Sequence, residues 1–231
     1  MSILSVCQDV ATKIGIDVPS VVYTGTTQEL LELQDLANTM AKRIAQAHDW
    51  ELLSAIASYP GDDSTEDFDL PDGYDRMPKD GRVWSTSLET PLTHILSRDR
   101  WLGLDIQSFD FVINAWIIYG GQIHIKPALA TGVSAKHFYQ SDLIIAPSSG
   151  SNKVAFTADT DTFRLDEDLL KLGMIYQWKA DHGQPYAQHQ DDYEELFEQL
   201  STTDPGAKLV RVGRARLPRG ARIAYPQMIT G

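Results

Sequence analysis

The chain has 231 residues, 42% of them apolar and 23% charged, which is the composition of an ordinary globular protein with a core of its own. Its 32 acidic and 20 basic residues give a net charge of −12, which disfavours nonspecific binding to nucleic acid. Neither a membrane-spanning apolar run nor a signal-peptide pattern is present, so we expect a soluble protein made in a cytoplasm. Cys7 is the single cysteine, which excludes an internal disulfide.

Two amphipathic helices are predicted at the start of the chain. Ser2 is a suitable N-cap for a helix over residues 2 to 14, where apolar residues recur at intervals of three to four. Thr26 and Glu29 have capping-box spacing before a longer apolar stripe, which predicts a second helix over about residues 27 to 48.

Beyond Trp50 the hydrophobic period changes to that of strands, beginning with an alternation of apolar Leu52 and Ile56 with Ser54 and Ser58. Ala115 to Tyr119 and Gln122 to Lys126 are predicted to form a hairpin across Gly120-Gly121, because two glycines suit a tight turn. The apolar run from Ala135 to Ile145 is predicted to be a third strand of the same sheet. A short helix is expected between residues 97 and 108.

Helical spacing returns near the end of the chain. Asp166 is the expected N-cap of a third helix, and Gly183 its end. Pro185 is suited to open a fourth helix, which Asp204-Pro205-Gly206 stops. Each of the four helices has one apolar face, so they bury those faces most economically on one another.

The predicted fold is therefore α+β. It comprises a four-helix bundle made of residues 1–49 and 163–204, and a β-rich insertion at 50–162 between the second and third helices. An extended C-terminal arm at 205–231 completes the chain.

The arm differs from the rest of the chain in charge. It holds six basic residues and no acidic one, which leaves 14 bases and 32 acids, a charge of −18, in residues 1–204. Its glycines and prolines interrupt any regular period, and its 27 residues reach at most about 90 Å when extended. We expect it to be ordered by a partner, which could be another copy, a protein with an acidic surface or an open sheet edge, or nucleic acid. A solvated end is the remaining alternative.

Apolar residues interleaved with the arm's basic ones favour a protein groove over phosphates. The residues expected to bind the partner are the following side chains: Lys208, Leu209, Val210, Arg211, Val212, Arg214, Arg216, Leu217, Arg219, Arg222, Ile223 and Tyr225.

Candidate catalytic and metal-binding residues are few. Asp159 and Asp161, followed by acids at 166–168, resemble a divalent-cation site in composition, but the EF-hand spacing fails and a loop before a helix is favoured. His182 and His189 lack a zinc-binding pattern, and Cys7 lies beside an apolar stripe. No nucleophile elbow or phosphate-binding loop is present. We therefore predict no catalysis, cofactor or metal; a hydrolase with an unrecognised site is the weaker alternative.

The order of these elements resembles the head-to-tail adaptor proteins of tailed bacteriophages, also called connector or head-completion proteins. The resemblance covers most of the chain and depends on the order and spacing of loose patterns, none of them a catalytic signature. These patterns are residues 45–50 (AQAHDW), 70–75 (LPDGYD), 121–127 (GQIHIKP), 156–161 (FTADTD), 169–173 (LLKLG), 178–179 (WK) and 191–194 (DDYE).

The resemblance implies a ring, usually of twelve copies, in the virion neck between the capsid portal and the tail, assembled in the host cytoplasm. The helices would form the ring wall, and the insertion would contact a tail-side stopper, tube or nozzle protein or neighbouring subunits. The arm would clasp the portal protein, and double-stranded DNA would pass through without sequence-specific binding. No membrane is implied. The rival interpretation is a DNA-contacting protein that uses its basic arm.

Overall fold

The computed structural model of the protein describes residues 1–88, 90–106 and 114–204. These residues form five α-helices and ten β-strands, which confirms the α+β class. The helices are α1 (Ile3–Ile14), α2 (Gln28–Ala47), α3 (Arg98–Ile106), α4 (Glu167–Asp181) and α5 (Ala187–Thr203). All four helices predicted outside the insertion are therefore present, and α3 is the short helix expected within it.

Side-chain caps explain where two of the helices begin. The Ser2 hydroxyl accepts a hydrogen bond from the backbone N–H of Ser5, and the Asp166 carboxylate accepts one from Leu169 at 2.8 Å, so both predicted N-caps are confirmed. The predicted capping box of Thr26 and Glu29 at the start of α2 is wrong. Its N-cap is Thr27, and Thr26 lies one residue too early for its hydroxyl to cap the helix.

Helix α4 lies at the centre of the helical region, where it contacts α1, α2 and α5. Leu169, Leu170 and Met174 on α4 are fully buried. Gly173 permits close approach of its neighbours, because a Cβ atom there would lie 2.7 Å from the Met40 methyl carbon. Helix α5 has no fully buried residue and begins two residues after Pro185, later than predicted.

The strands lie between α2 and α4 in the chain. A single 3-10 turn, Glu51–Leu53, precedes the first of them. The strands are β1 (Ser54–Pro60), β2 (Asp67–Asp69), β3 (Tyr74–Arg76), β4 (Trp84–Ser85), β5 (Thr93–His94), β6 (Ala115–Tyr119), β7 (Gln122–Lys126), β8 (Ser134–Ser141), β9 (Ile145–Ala146) and β10 (Thr162–Phe163).

The strands form three sheets. In the first, which we call the β8 sheet, β8 pairs antiparallel with β1 on one side and with β3 and β4 on the other. In the second, the order is β2-β7-β6-β5, and the β6–β7 hairpin has the predicted strands and turn. Strands β9 and β10 form the third. The prediction that β8 joins the hairpin's sheet is wrong, because β2 and β5 already occupy both edges of the hairpin.

Buried apolar side chains form three clusters. The largest joins α1, α2 and α4, and it includes Ile144, Ile145, Phe156 and Phe163 from the strand-rich segment. The second lies between the β8 sheet and the hairpin, and a small third surrounds Trp101. The helical core thus draws on residues from both parts of the chain.

Candidate interaction surfaces

The arm begins at a defined place in the fold, which we call the arm root. Asp204 ends α5, and its carboxylate accepts a hydrogen bond from the backbone N–H of Glu51 at 2.8 Å. The Nε2 atom of His48 lies 3.6 Å from the same oxygen. The twelve predicted partner-binding residues lie outside the described residues; the last described residue before them, Asp204, lies at the junction of α2 and β1.

Trp50 packs beside the arm root and links the ends of α2 and α5. Its indole N–H donates to the carbonyl oxygen of Ile44 at 2.8 Å, and its ring meets Phe197 of α5 edge to face at 6.0 Å. The His48 ring packs against it at 4.9 Å. Because the indole is buried and its N–H is paired, the end of α2 and the end of α5 are fixed relative to each other.

Helix α5 presents an acidic face to solvent. Its half-buried side chains pack on the helical core, while five carboxylates on the helix are exposed: Asp191, Asp192, Glu194, Glu195 and Glu198. Residues 180–207 contain no lysine or arginine to neutralise them. This face would repel the phosphates of DNA, and it directly precedes the arm in the chain.

An open groove of about 450 Å³ lies between α2 and α4. Glu32, Asp35 and Asp181 are among the residues that line it, and the largely buried Trp178 forms part of its wall. The His182 ring stacks on Trp178 at 4.3 Å, and its Nε2 atom lies 3.7 Å from Glu32. The groove is acidic, and its histidine is engaged with neighbours in the same subunit.

The carboxylates considered for a cation serve the fold. One oxygen of Asp159 accepts hydrogen bonds from the backbone N–H groups of Val22 and Tyr23, both at 2.9 Å. Asp161 is 1% exposed and binds the Lys153 ammonium at 2.7 Å. Burial alone would raise the pKa of Asp161, but the bonds from Lys153 and from two backbone N–H groups outweigh it and lower the pKa. In the part of the chain that the structure describes, no group of three or more His, Cys, Asp and Glu side chains is arranged to hold a metal ion.

The remaining candidates also have structural partners. His182 donates from Nδ1 to the carbonyl oxygen of Trp178 at 2.9 Å, whereas His189 accepts from the Lys179 ammonium at 2.7 Å. Cys7 is fully buried, and that burial, assisted by the charge of Asp159, raises the pKa of its thiol to about 12. Such a thiol is a small core residue and a poor nucleophile.

One exposed apolar surface was missed by the sequence reasoning. Ile56 of β1 and Phe138 of β8 lie directly opposite each other on the outer face of the β8 sheet, and they are 60% and 58% exposed. Trp84 of β4 lies in the next row, opposite Lys136, and is also exposed. The alternation around β1 predicted a strand, but the side that is buried carries Ala57 and Tyr59.

The described features are an exposed apolar surface, an acidic helix face and the arm root, which precedes a basic segment in the sequence; such surfaces are typical of proteins that assemble with other macromolecules. The chain belongs to the SU10 adaptor protein family, whose model matches residues 1–217. This is a family of structural head-tail adaptor proteins of bacteriophages, located in the virion neck, so the resemblance seen in the sequence is confirmed. No curated protein matches the chain. Across the described ranges, no helix is both long and apolar enough to cross a membrane.

Proposed function

We propose that twelve copies of this chain form a ring in the neck of a bacteriophage, joining the portal protein of the capsid to the tail. The ring assembles in the host cytoplasm and leaves a channel through which double-stranded DNA passes without sequence-specific binding. The observation that carries this proposal is the family match over residues 1–217, which extends through the helices, the strand-rich segment and the first half of the arm.

The helical and strand-rich parts have different roles in this proposal. Residues 1–49 and 163–204 act as a four-helix bundle that forms the ring wall, supported by the contacts of α4 with α1, α2 and α5. Residues 50–162 act as the insertion that contacts a tail-side stopper, tube or nozzle protein. The exposed Ile56, Phe138 and Trp84 support a contact role for this insertion, because exposed apolar patches mark interaction sites.

The arm binds the portal protein in this proposal. Its contacts are made by basic residues together with the apolar residues between them: Lys208, Leu209, Val210, Arg211, Val212, Arg214, Arg216, Leu217, Arg219, Arg222, Ile223 and Tyr225. The arm root supports this role, because Asp204 and Trp50 lie where the arm begins, while the glycines and prolines of the arm interrupt any regular period of its own.

The acidic face of α5 lines the DNA channel. Exposed carboxylates at 191, 192, 194, 195 and 198 repel phosphates, so transiting DNA would meet few cationic contacts that slow it. In this proposal the acidic body therefore faces the DNA, and the basic arm binds protein.

Co-sedimentation with the purified portal tests the proposal. The Arg219→Ala/Arg222→Ala variant should lose at least tenfold in portal affinity, since each charge-assisted contact contributes about 1.5 to 3 kcal/mol. Lys13→Ala on α1, which also removes a positive charge, should bind the portal like the unchanged chain. Equal binding by all three proteins would contradict the role of the arm.

The six basic residues of the arm favour one second candidate, a protein whose arm grips DNA. A salt titration separates the two. If the full chain binds duplex DNA, and affinity falls steeply between 50 and 200 mM salt and is lost in the Arg219→Ala/Arg222→Ala variant, the DNA-contacting function is correct.

A further inference from the structure

Strand β1 has an open edge. In the described parts of the chain it pairs with β8 alone, so its other side has no strand partner there. It is seven residues long, carries no charged side chain and has a proline only at its last position. Natural proteins usually shield long uncharged edges, because such edges pair readily with another strand.

The side chains beside this edge also favour an occupant. Ile56, on β1 itself, is 60% exposed on the outer face of the β8 sheet. Its partner Phe138 covers it from one side only, because β1 is the last strand of the sheet. A further strand at the edge would therefore bury apolar surface in addition to pairing backbone groups.

The chain itself leads to this edge. Asp204 is hydrogen-bonded to Glu51, so the arm starts at the 3-10 turn that leads directly into β1, three residues before the strand begins. Residues 205–207 span at most about 10 Å, which is sufficient to bring Lys208 alongside the start of β1. The next residues, Lys208 to Val212, include three apolar side chains, two of them β-branched valines that favour strands, and are followed by Gly213.

We propose that residues 208–212 add to the open edge of β1 in the same subunit, as a parallel strand. The direction follows because both segments run away from the Glu51–Asp204 hydrogen bond. The same subunit is the partner because the three-residue connection gives the segment a high effective concentration at its own edge. Residues 214–231 remain free and reach up to about 60 Å, with four arginines for the portal.

This inference goes beyond the proposed function, since strand addition at β1 requires neither a ring nor a portal. It narrows the portal contacts of the proposed function to the arm residues from Arg214 onward, because residues 208–212 would pair with β1 instead. The arm would leave the subunit from the far end of β1, and its basic half would be presented by a sheet edge rather than by a free chain.

Cross-linking in the full chain tests the pairing. Ser58 and Arg211 each lie seven residues beyond the Glu51–Asp204 hydrogen bond, and Cys7 is buried, so Ser58→Cys/Arg211→Cys supplies the only accessible thiols. A short bis-maleimide should link them within one chain. Val18→Cys/Arg211→Cys is the matched control, because Val18 is an exposed residue beyond the end of α1, and it should link at least tenfold less. Equal linking of both pairs, no linking of either, or covalent dimers would overturn the proposal.

Hydrogen exchange provides a second readout. Val210→Pro removes a backbone N–H and disfavours a strand, whereas Val210→Thr keeps the backbone N–H and a β-branched side chain that favours a strand. The β1 amides on the open side should exchange about tenfold faster in the proline variant and unchanged in the threonine variant, while α4 amides stay protected in both. Unchanged β1 exchange in the proline variant would overturn the inference. Portal binding is measured separately, so failure of the strand pairing and failure of the proposed function are distinguishable.

Discussion

Asp161 is the buried charge on which the loop before α4 depends. Its carboxylate accepts from the Lys153 ammonium at 2.7 Å and from the backbone N–H groups of Thr157 and Ala158 at 2.8 and 3.0 Å. Its own backbone carbonyl accepts from the N–H of Ile3, at the start of α1. Replacing Asp161 with alanine would leave two backbone donors without an acceptor and would remove the carboxylate partner of Lys153, whose ammonium also donates to the Thr157 hydroxyl.

The expected cost follows from these bonds. A hydrogen bond to a charged group contributes about 1.5 to 3 kcal/mol, and removing one partner of a buried ion pair costs about 3 to 5 kcal/mol. Lys153 is partly exposed and recovers some hydration, so we expect Asp161→Ala to lose about 3 to 4 kcal/mol of unfolding free energy. Asp161→Asn, which keeps an oxygen acceptor but loses the charge, should lose about half of that.

Urea unfolding at pH 7 measures these differences. Asp168→Asn is the matched control, because that carboxylate is on the surface of the first turn of α4 and should change the unfolding free energy by less than about 0.5 kcal/mol. The lowered pKa of Asp161 also means that its contribution is present above pH 4 and is lost as the pH falls through the folded-state pKa. An Asp161→Ala variant within 1 kcal/mol of the unchanged chain would refute this reasoning.

Three further predictions concern other parts of the molecule. His137 is buried, and desolvation lowers the pKa of its imidazole. Its contribution to stability is therefore present above about pH 6.5 and is lost as the pH falls through the lower folded-state pKa. Urea unfolding of His137→Gln should show a flatter pH dependence of the unfolding free energy between about pH 7 and pH 5. Changing Asp191, Glu195 and Glu198 on α5 to lysine should create duplex-DNA binding, measured in a filter assay. If the three lysines contact three phosphates, the affinity should fall about fortyfold between 50 and 200 mM salt, whereas the variant with neutral Asn and Gln at the same positions should not bind. A chain ending at residue 204 should keep a cooperative thermal transition, since the arm adds little to the core; loss of the transition would contradict this.

Local patterns identified most of the elements. The helical stripes, the N-caps Ser2 and Asp166 and the Gly120-Gly121 turn were predictable because their causes lie within a few residues of sequence. The partner of β8 was not predictable, since which strand it joins depends on edges that β2 and β5 occupy from elsewhere in the chain. The same limit explains the burial of Ala57 in place of Ile56, because the phase of a strand depends on what covers it.

Some features of the candidate interaction surfaces were also predictable from the sequence, and others were not. The charge contrast between body and arm was visible in the sequence, because it needs only counting. The arm root was not, since it joins Asp204 to Glu51 across 153 residues of chain. The acidic stretch before α4 was expected from the sequence to be a loop before a helix, but its partners were not predictable, because Asp159 binds backbone groups of Val22 and Tyr23 far away in the chain.

In the proposed neck assembly, the basic arm joins a ring of these chains to the portal. Native mass spectrometry of the purified full chain, alone and mixed with its portal, is the sharpest test of this attachment. We expect a complex that contains the portal and twelve copies of this chain, and no complex when the chain ends at residue 204. A folded full chain that leaves the portal unbound, or a shortened chain that binds it equally well, would show that the arm does not attach the ring to the portal.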